Sequence, residues 1–154
     1  MKSPWLLLAC LSLSQSLQAA GWDDDFWYFQ TSVYTNHWNN DPEHNNHQEL
    51  IGIERNFADG SLWGGATFLN SFDQRSYYAY YGHRWSSENY PVYIKLSGGL
   101  IEGYKGEYDD KIPLNHLGVA PVLIPSLGAH FGPVGTELVI LGTAAVMVNV
   151  GVRY

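Results

Sequence analysis

The last ten residues, AVMVNVGVRY (145–154), alternate between two kinds of side chain. Every second residue from Val146 to Val152 is a valine, and Tyr154 completes that face, whereas Asn149 and Arg153 lie on the other. A period of two is the signature of a β-strand with two different surroundings. A valine face suits lipid, and a face that tolerates an amide and a guanidinium suits a barrel interior. The terminal aromatic residue is typical of outer-membrane proteins of Gram-negative bacteria.

The same alternation extends back through the chain, most clearly in VYIKLSGGLI (92–101). It predicts an all-β fold, an eight-stranded antiparallel transmembrane β-barrel of the outer-membrane type. A secreted β-sandwich would also alternate, but the even strand number and the strand length of about ten residues favour the barrel. The predicted strands span about 26–37, 48–56, 62–71, 76–85, 91–101, 117–131, 134–142 and 145–154.

The connections between these strands also alternate. Long polar segments, WNNDPEHNNH (38–47) and the segment within 102–116, alternate with tight turns such as FADGS (57–61). If the N-terminus starts in the periplasm, the long loops are extracellular and the tight turns periplasmic. Eleven Tyr, six Trp and sixteen Gly fit an aromatic-rich barrel with many turns at a membrane interface.

The first nineteen residues are typical of a secretory signal peptide. Lys2 precedes a short apolar core, and cleavage is expected after Ala19, leaving 20–154 as a single barrel domain. The alternative is a lipoprotein anchored at Cys10. Because Cys10 is the only cysteine, the mature chain has no intramolecular disulfide. Fifteen acidic residues against eight basic ones argue against nucleic acid as a partner.

Polar residues with catalytic chemistry fall at the outer ends of two predicted strands. His37 ends the first strand, and Asn70 and Ser71 end the third. A histidine and a hydroxyl on one rim could supply a base and a polar partner, although polar residues could equally solvate a loop edge. His37, His44 and His47 invite comparison with a metal site, but no accompanying ligand motif supports one, and no metal is predicted.

Two prolines interrupt the apolar stretch VAPVLIPSLGAHFGPVG (119–135). Pro121 and Pro125 cannot donate backbone hydrogen bonds, so sheets tolerate them at edges, bulges or strand starts. A bulge or a late strand start is the simple interpretation. Charged residues on the predicted inner faces are expected to form a plug of paired charges, because unpaired ones are costly in a narrow barrel. These residues are Glu54, Arg84, Lys95, Glu137 and Arg153.

The segment IPLNHLGVAPVLIPSLGAHFGPVG (112–135) resembles the outer-membrane lipid A palmitoyltransferases of the PagP family, which carry a P-V-L-(L/I)-P segment followed by G-P-V. Shorter similarities are FLNSF (68–72), TNHW (35–38) and YYGHRW (80–85). The chain departs from the family at Asn70, where Asp is usual, and in its missing or reduced N-terminal amphipathic helix.

The resemblance implies a phospholipid:lipid A acyltransferase that moves a palmitoyl chain from a glycerophospholipid to lipid A. His37 would be the general base, and Ser71, with Asn70, would position the ester or stabilise its oxyanion. A covalent acyl-Ser route is the less favoured alternative. The enzyme would be a monomer in the cell outer membrane and would need no cofactor.

The resemblance also implies two elements that handle the acyl chain. Pro121 and Pro125 would open a lateral gap that admits the chain. Gly82, on the inner face of the fourth strand, would lie at the floor of its pocket, although a strand glycine can also ease close packing at a bend.

Two other functions remain open on the sequence. One is a non-catalytic small barrel that stabilises the membrane, binds lipid or transports a small solute. The other is a lipid A deacylase, which would need a His-x-Ser-type pair on one strand, and the sequence contains no such pair. An enzyme requires convergent rim residues and an apolar interior pocket, whereas a structural barrel would be filled with polar side chains.

Overall fold

The chain folds into a closed antiparallel β-barrel. The computed structural model describes residues 22–38, 49–70, 73–103, 118–143 and 145–154. Each strand pairs with its neighbours in sequence, and the first pairs with the last to close the barrel. The prediction of an eight-stranded antiparallel barrel is therefore confirmed. The strands are β1 (Phe26–His37), β2 (Ile51–Asn56), β3 (Ser61–Leu69), β4 (Arg75–Ser86), β5 (Val92–Glu102), β6 (Val119–Phe131), β7 (Val134–Leu141) and β8 (Ala145–Arg153).

Most strand limits agree with the predicted ones to within one residue. β2 begins at Ile51 rather than at 48, because Glu49 has a positive φ of 45° that an extended strand cannot contain. β3 ends at Leu69 rather than at 71, where Asn70 begins a turn. The predicted signal peptide (1–19) lies outside the described residues. In the described ranges, no helix has the length and apolar character needed to cross a membrane.

The alternation decides which side chains face the interior. In β5, Tyr93, Lys95 and Ser97 are buried, whereas Ile94 and Leu100 are more than half exposed. β8 follows the same rule, with Asn149 and Arg153 inside and its valines outside. The barrel is thus apolar on its outer wall and partly polar within, the reverse of a water-soluble sandwich.

The two ends of the barrel differ. The end that carries the turns after β2, β4 and β6, together with 22–25 and Tyr154, is here called the turn end. The end that carries the connections after β1, β3, β5 and β7 is called the loop end. At the turn end, Gly60 adopts a φ of 91°. There the backbone N–H and the hydroxyl of Ser61 donate to the Asp59 carboxylate, and these hydrogen bonds lower the pKa of Asp59.

Buried charges fill the middle of the barrel. The Lys95 Nζ atom lies 3.1 Å from Glu54 Oε2 and 2.7 Å from both Glu137 carboxylate oxygens. Tyr80 donates its hydroxyl to Glu54 and Tyr93 donates its hydroxyl to Glu137, each at 2.8 Å. These contacts join β2, β4, β5 and β7 across the interior. The predicted plug of paired charges is confirmed for Lys95 and its two glutamates.

Trp22 closes the turn end. Its indole stacks on His130 with ring centroids 4.5 Å apart and donates Nε1–H to the Gly132 carbonyl at 2.7 Å. The Trp22 carbonyl in turn accepts a 2.6 Å hydrogen bond from Arg84 Nη2. Beside it, the Asp25 carboxylate caps the Ala58 N–H at 2.8 Å. Arg84 thus binds a backbone carbonyl, rather than a carboxylate, as its closest partner.

The loop half of the interior is mainly apolar. Leu50, Val139 and Met147 form a buried cluster, against which Ala66, Phe68, Ile124 and Leu141 pack. Ile101 and Ala120 belong to a second cluster that shares Phe68 and Ile124 with the first. The interior therefore has a charged and aromatic turn half and a more apolar loop half. His37 and Asn70, the described members of the predicted catalytic set, lie at the end of the loop half.

Candidate functional site

His37 faces the barrel interior because β1 contains a β-bulge. Ser32 pairs with Asn149 and Tyr34 pairs with Val148, which leaves Val33 as an extra residue in β1. Val33 and Tyr34 are both more than half exposed, so two successive side chains face outward. The even-numbered residues Phe26, Tyr28 and Gln30 are inward before the bulge. After it, Thr35 and His37 are inward and only 5% and 6% exposed.

The bulge lies where β1 loses its pairing with β2. That ladder ends at Thr31 and Ile51, so the remainder of β1 pairs with β8 alone. Side chains replace the ladder at this point: the Thr31 hydroxyl donates to the Leu50 carbonyl at 2.7 Å, and the Leu50 N–H donates to Ser32 Oγ at 3.2 Å. The outer part of β1, which carries His37, is thus a separate segment of the wall.

Asn70 is fully buried and tied to the β3–β4 connection. Its Nδ2 donates to Ser76 Oγ at 3.1 Å and to the Gly103 carbonyl at 3.4 Å. Its Oδ1 accepts from the Gln74 N–H at 3.1 Å. The amide therefore links the ends of β3, β4 and β5. An amide can donate and accept hydrogen bonds at once, whereas an ionised carboxylate can only accept them. These contacts therefore fit Asn70 at a position where the PagP family usually has Asp.

The two described members of the predicted catalytic set lie at the same end of the barrel. His37 ends β1 and Asn70 follows β3, so both lie at the loop end and both are buried. Ser71, the third member, lies outside the described residues, as do His44 and His47. The role of His37, Asn70 and Ser71 in acyl transfer stays a prediction.

The wall between β6 and β7 is interrupted in its loop half. β6 pairs with β7 only from Ser126, opposite Val139, to Phe131, opposite Val134. Its pairing with β5, by contrast, continues through Pro125 and Pro121 to Val119. The prolines are four residues apart, so their nitrogens point to the same neighbouring strand, and the unbroken β5 ladder places the missing donors on the β7 side.

We call the unpaired wall from Val119 to Pro125 the β6–β7 seam. Both prolines lie on its outer face. Val122 and Ile124, from the same stretch, pack inward against the apolar clusters. The seam therefore lies between the outer surface and the apolar loop half of the interior.

Gly82 has a structural reason to be glycine. It faces inward, as the alternation predicts, but a Cβ atom there would lie 2.4 Å from the Leu96 carbonyl oxygen and 3.0 Å from Ser97 Cα. These atoms belong to the backbone of β5, so the glycine permits a close approach of β4 and β5. This is the alternative that the sequence left open, and the predicted role of Gly82 in acyl-chain length stays a prediction.

A groove of about 760 Å³ lies on the outer wall rather than at the predicted site. Outward side chains such as Phe29, Ile53, Tyr77 and Leu100 line it. Its position makes it a depression of the outer wall, distinct from an interior acyl pocket.

Sequence reasoning missed Thr35 and the bulge that turns it inward. The spacing of the residues could have indicated the bulge. His37 and Phe29 are eight residues apart, so a regular strand would place them on the same face, and an inward His37 with an outward Phe29 requires one extra residue between them. The arrangement as a whole places an imidazole and a hydroxyl on the inner face of the barrel, at the loop end of its apolar half. An imidazole can act as a base towards a hydroxyl group.

No family model and no curated protein sequence matches the chain. Among solved structures, the chain is similar to the Yersinia pestis outer membrane protein Ail, determined in a phospholipid bilayer nanodisc. The superposition covers 85% of this chain and 100% of that chain, with 14% sequence identity and a TM-score of 0.44.

Proposed function

We propose that the protein spans the outer membrane, with its loop end outside the cell. Large aromatic residues lie outward near both ends of the barrel, including Trp63 and Trp85 towards the turn end and Tyr77 towards the loop end. Outward Leu, Ile and Val residues occupy the wall between them, for example Leu96 and Leu123. Aromatic belts around an apolar band are typical of transmembrane barrels.

We further propose that the barrel transfers a fatty acyl chain, palmitoyl as the sequence resemblance implies, from a glycerophospholipid to lipid A. The observation that carries the proposal is the β6–β7 seam beside the apolar loop half of the interior. In lipid, backbone groups are normally satisfied within the wall, so a ladder that stops in mid-strand is costly unless it has a use. An acyl chain could pass laterally between Ser126 and the loop end.

In this mechanism, His37 acts as the general base. It takes the proton of a lipid A hydroxyl while that oxygen attacks the ester carbonyl of the phospholipid. The new oxygen–acyl bond forms, and the bond from the acyl carbon to the glycerol oxygen breaks. Protonated His37 then returns the proton to the departing oxygen, which yields a lysophospholipid. An ester replaces an ester, so the reaction needs no cofactor.

Asn70 and Ser71 complete the proposed site. Asn70 joins the ends of three strands beside Ser71 in sequence, and it would hold the β3–β4 connection in place. Ser71 would bind the ester or its oxyanion. His37 lies at the end of β1, which short β2 separates from the β3 end that carries Asn70.

A non-catalytic lipid-binding barrel is the second candidate. The observation that favours it is the interior itself, where the Lys95 cluster and Trp22 fill the turn half. This packing argues against solute transport through the barrel. It is compatible with a barrel that only holds an acyl chain in its loop half.

The deciding experiment is expression in a bacterial strain that lacks its own lipid A palmitoyltransferase. We expect lipid A with the mass of one added palmitoyl group. His37→Gln should abolish the added mass, whereas His83→Gln, at the turn end on the outer face, should not. Heat-modifiable gel mobility verifies that each variant folds. Unmodified lipid A from the folded wild-type protein would reject the acyltransferase and leave the lipid-binding barrel.

A further inference from the structure

Thr35 combines deep burial with an unsatisfied hydroxyl. Its side chain is 5% exposed, and Oγ1 has no hydrogen-bond partner among the described residues. A buried hydroxyl without a partner is costly, since it has lost its hydrogen bonds to water. Such a group in the interior of a β-barrel calls for an explanation, and a bound ligand would supply one.

The β1 bulge is what places this hydroxyl inside. In a regular strand of the same residues, without the bulge, Thr35 and His37 would share the outward face of Phe29 and Thr31. The bulge therefore turns both polar side chains inward together, two residues apart on the same face. Bulges commonly redirect side chains in this way next to functional sites.

The surroundings of Thr35 define the kind of acceptor that would suit it. Its cross-strand partner is Met147, which belongs to the apolar cluster with Leu50 and Val139. A phosphate would need cations to offset its desolvation in such a place, whereas an uncharged carbonyl oxygen would need only one donor. The ester carbonyl of an acyl chain held against this cluster has the required chemistry.

We propose that Thr35 is a substrate-binding residue whose hydroxyl donates a hydrogen bond to the ester carbonyl oxygen of the phospholipid, beside His37. This inference rests on the proposed function and extends it to a residue that the sequence did not indicate. The bulge accommodates Val33 as an extra residue and so leaves both side chains on the inner face.

Thr35→Val is the first test, because valine keeps the shape and removes only the hydroxyl. In a purified, detergent-solubilised enzyme with defined phospholipid and lipid A, we expect kcat/KM to fall roughly tenfold, the value of one neutral hydrogen bond. Thr35→Ser should recover most of the loss. The urea midpoint of the Thr35→Val barrel should be unchanged or higher, because an unsatisfied group has been removed. Lower stability with unchanged kcat/KM would show a structural hydroxyl and overturn the proposal.

Deletion of Val33 is the second test. It removes the extra residue, so that Tyr34 opposite Val148 directly follows Ser32 opposite Asn149, and Thr35 and His37 keep their inward face. The barrel should therefore fold with a regular β1–β8 ladder and retain acyl transfer, and Thr35→Val in this shortened barrel should lower kcat/KM as it does in the wild type. Loss of transfer by a folded Val33 deletion variant would contradict the placement of the site on the inner face of β1.

Native mass spectrometry separates this inference from the proposed function. If wild-type protein shows no transfer, the acyltransferase fails, but phospholipid retained by the wild type and lost by Thr35→Val would still support Thr35 as a lipid ligand. Equal retention of a palmitoyl phospholipid by both proteins would overturn the Thr35 assignment.

Discussion

Lys95 shows at the scale of one residue how this barrel tolerates charge in its interior. The ammonium group is 4% exposed and lies between two carboxylates from strands on different sides of the barrel. The pairing does not prove a large net stabilisation, because three buried groups have lost their hydration. Each of the three charges does need the others, because removal of one leaves a buried charge without its partner.

Lys95→Met should therefore destabilise the barrel strongly. The substitution leaves Glu54 and Glu137 buried without their cation, and removal of one partner from a buried ion pair costs about 3–5 kcal/mol. The triple variant Lys95→Met, Glu54→Gln, Glu137→Gln removes the charges together and should recover much of the loss. Urea unfolding followed by gel mobility measures both. A single variant as stable as the wild type would show that the cluster does not act as a unit.

Gly82→Ala should lower the free energy of unfolding, because the new Cβ would meet the β5 backbone, which cannot move like a flexible side chain. Overpacking of this kind costs about 1–3 kcal/mol. Gly98→Ala is the matched control, since its nearest neighbour is the Leu123 Cδ1 atom at 3.4 Å on the outer face. Thermal unfolding of the two variants tests the comparison. If Gly82→Ala is as stable as the control and selects shorter acyl chains, the pocket-floor role that the resemblance implies gains support instead.

At the scale of elements, β6 pairs over different lengths with its two neighbouring strands. It pairs with β5 from Val119 to Ala129, but with β7 only from Ser126 to Phe131. The break coincides with Pro125, and Pro121 extends it towards the loop end. β1 shows a related division, since it keeps β8 along its length but loses β2 after Thr31.

Replacing Pro121 and Pro125 together by Ala should strengthen the wall and slow acyl transfer. The restored N–H donor at position 125 lies opposite the last residues of β7 and could pair there, adding about 0.5–1.5 kcal/mol to the free energy of unfolding. A sealed wall would hinder lateral entry of the acyl chain. Urea unfolding and the lipid A assay measure the two effects. Pro133→Ala, in the β6–β7 turn, serves as the control.

An increase in stability with an unchanged transfer rate would place lipid entry elsewhere. A decrease in stability would indicate that the prolines shape the strand rather than weaken the wall, for instance through the fixed backbone angle of proline.

For the whole molecule, the turn end is covered by contacts between parts of the chain that are distant in sequence. Trp22 precedes β1 yet contacts the turn after β6 through Gly132 and the inner face of β4 through Arg84. It also stacks on His130 and packs near the aromatic ring of Tyr93. These contacts close the turn end with a single aromatic side chain.

Trp22→Ala should lower the stability of the entire barrel by about 3–5 kcal/mol, the usual cost of removing a buried large aromatic side chain. Trp63→Ala, on the outer face and 46% exposed, should cost less. Urea unfolding of both variants in the same detergent provides the measurement. Equal losses would mean that the turn end is held by the strand pairing rather than by the Trp22 contacts.

The sequence by itself determined the strands, their number and the two faces of most of them. Alternation is a local consequence of the extended backbone, so the valine face of β8 and the inward Lys95 of β5 could be predicted without knowing any partner strand. The inward charges of the turn half could be predicted for the same reason.

Only the tertiary structure decided the features that set the site. The bulge at Val33 exists only in relation to β8, a strand more than one hundred residues away, and it reverses the face on which Thr35 and His37 lie. The end of the β6–β7 ladder, the backbone that abuts Gly82 and the hydrogen bonds of Asn70 likewise belong to pairs of strands. Register describes which residues of two paired strands lie opposite each other, and the alternation within one strand does not specify it.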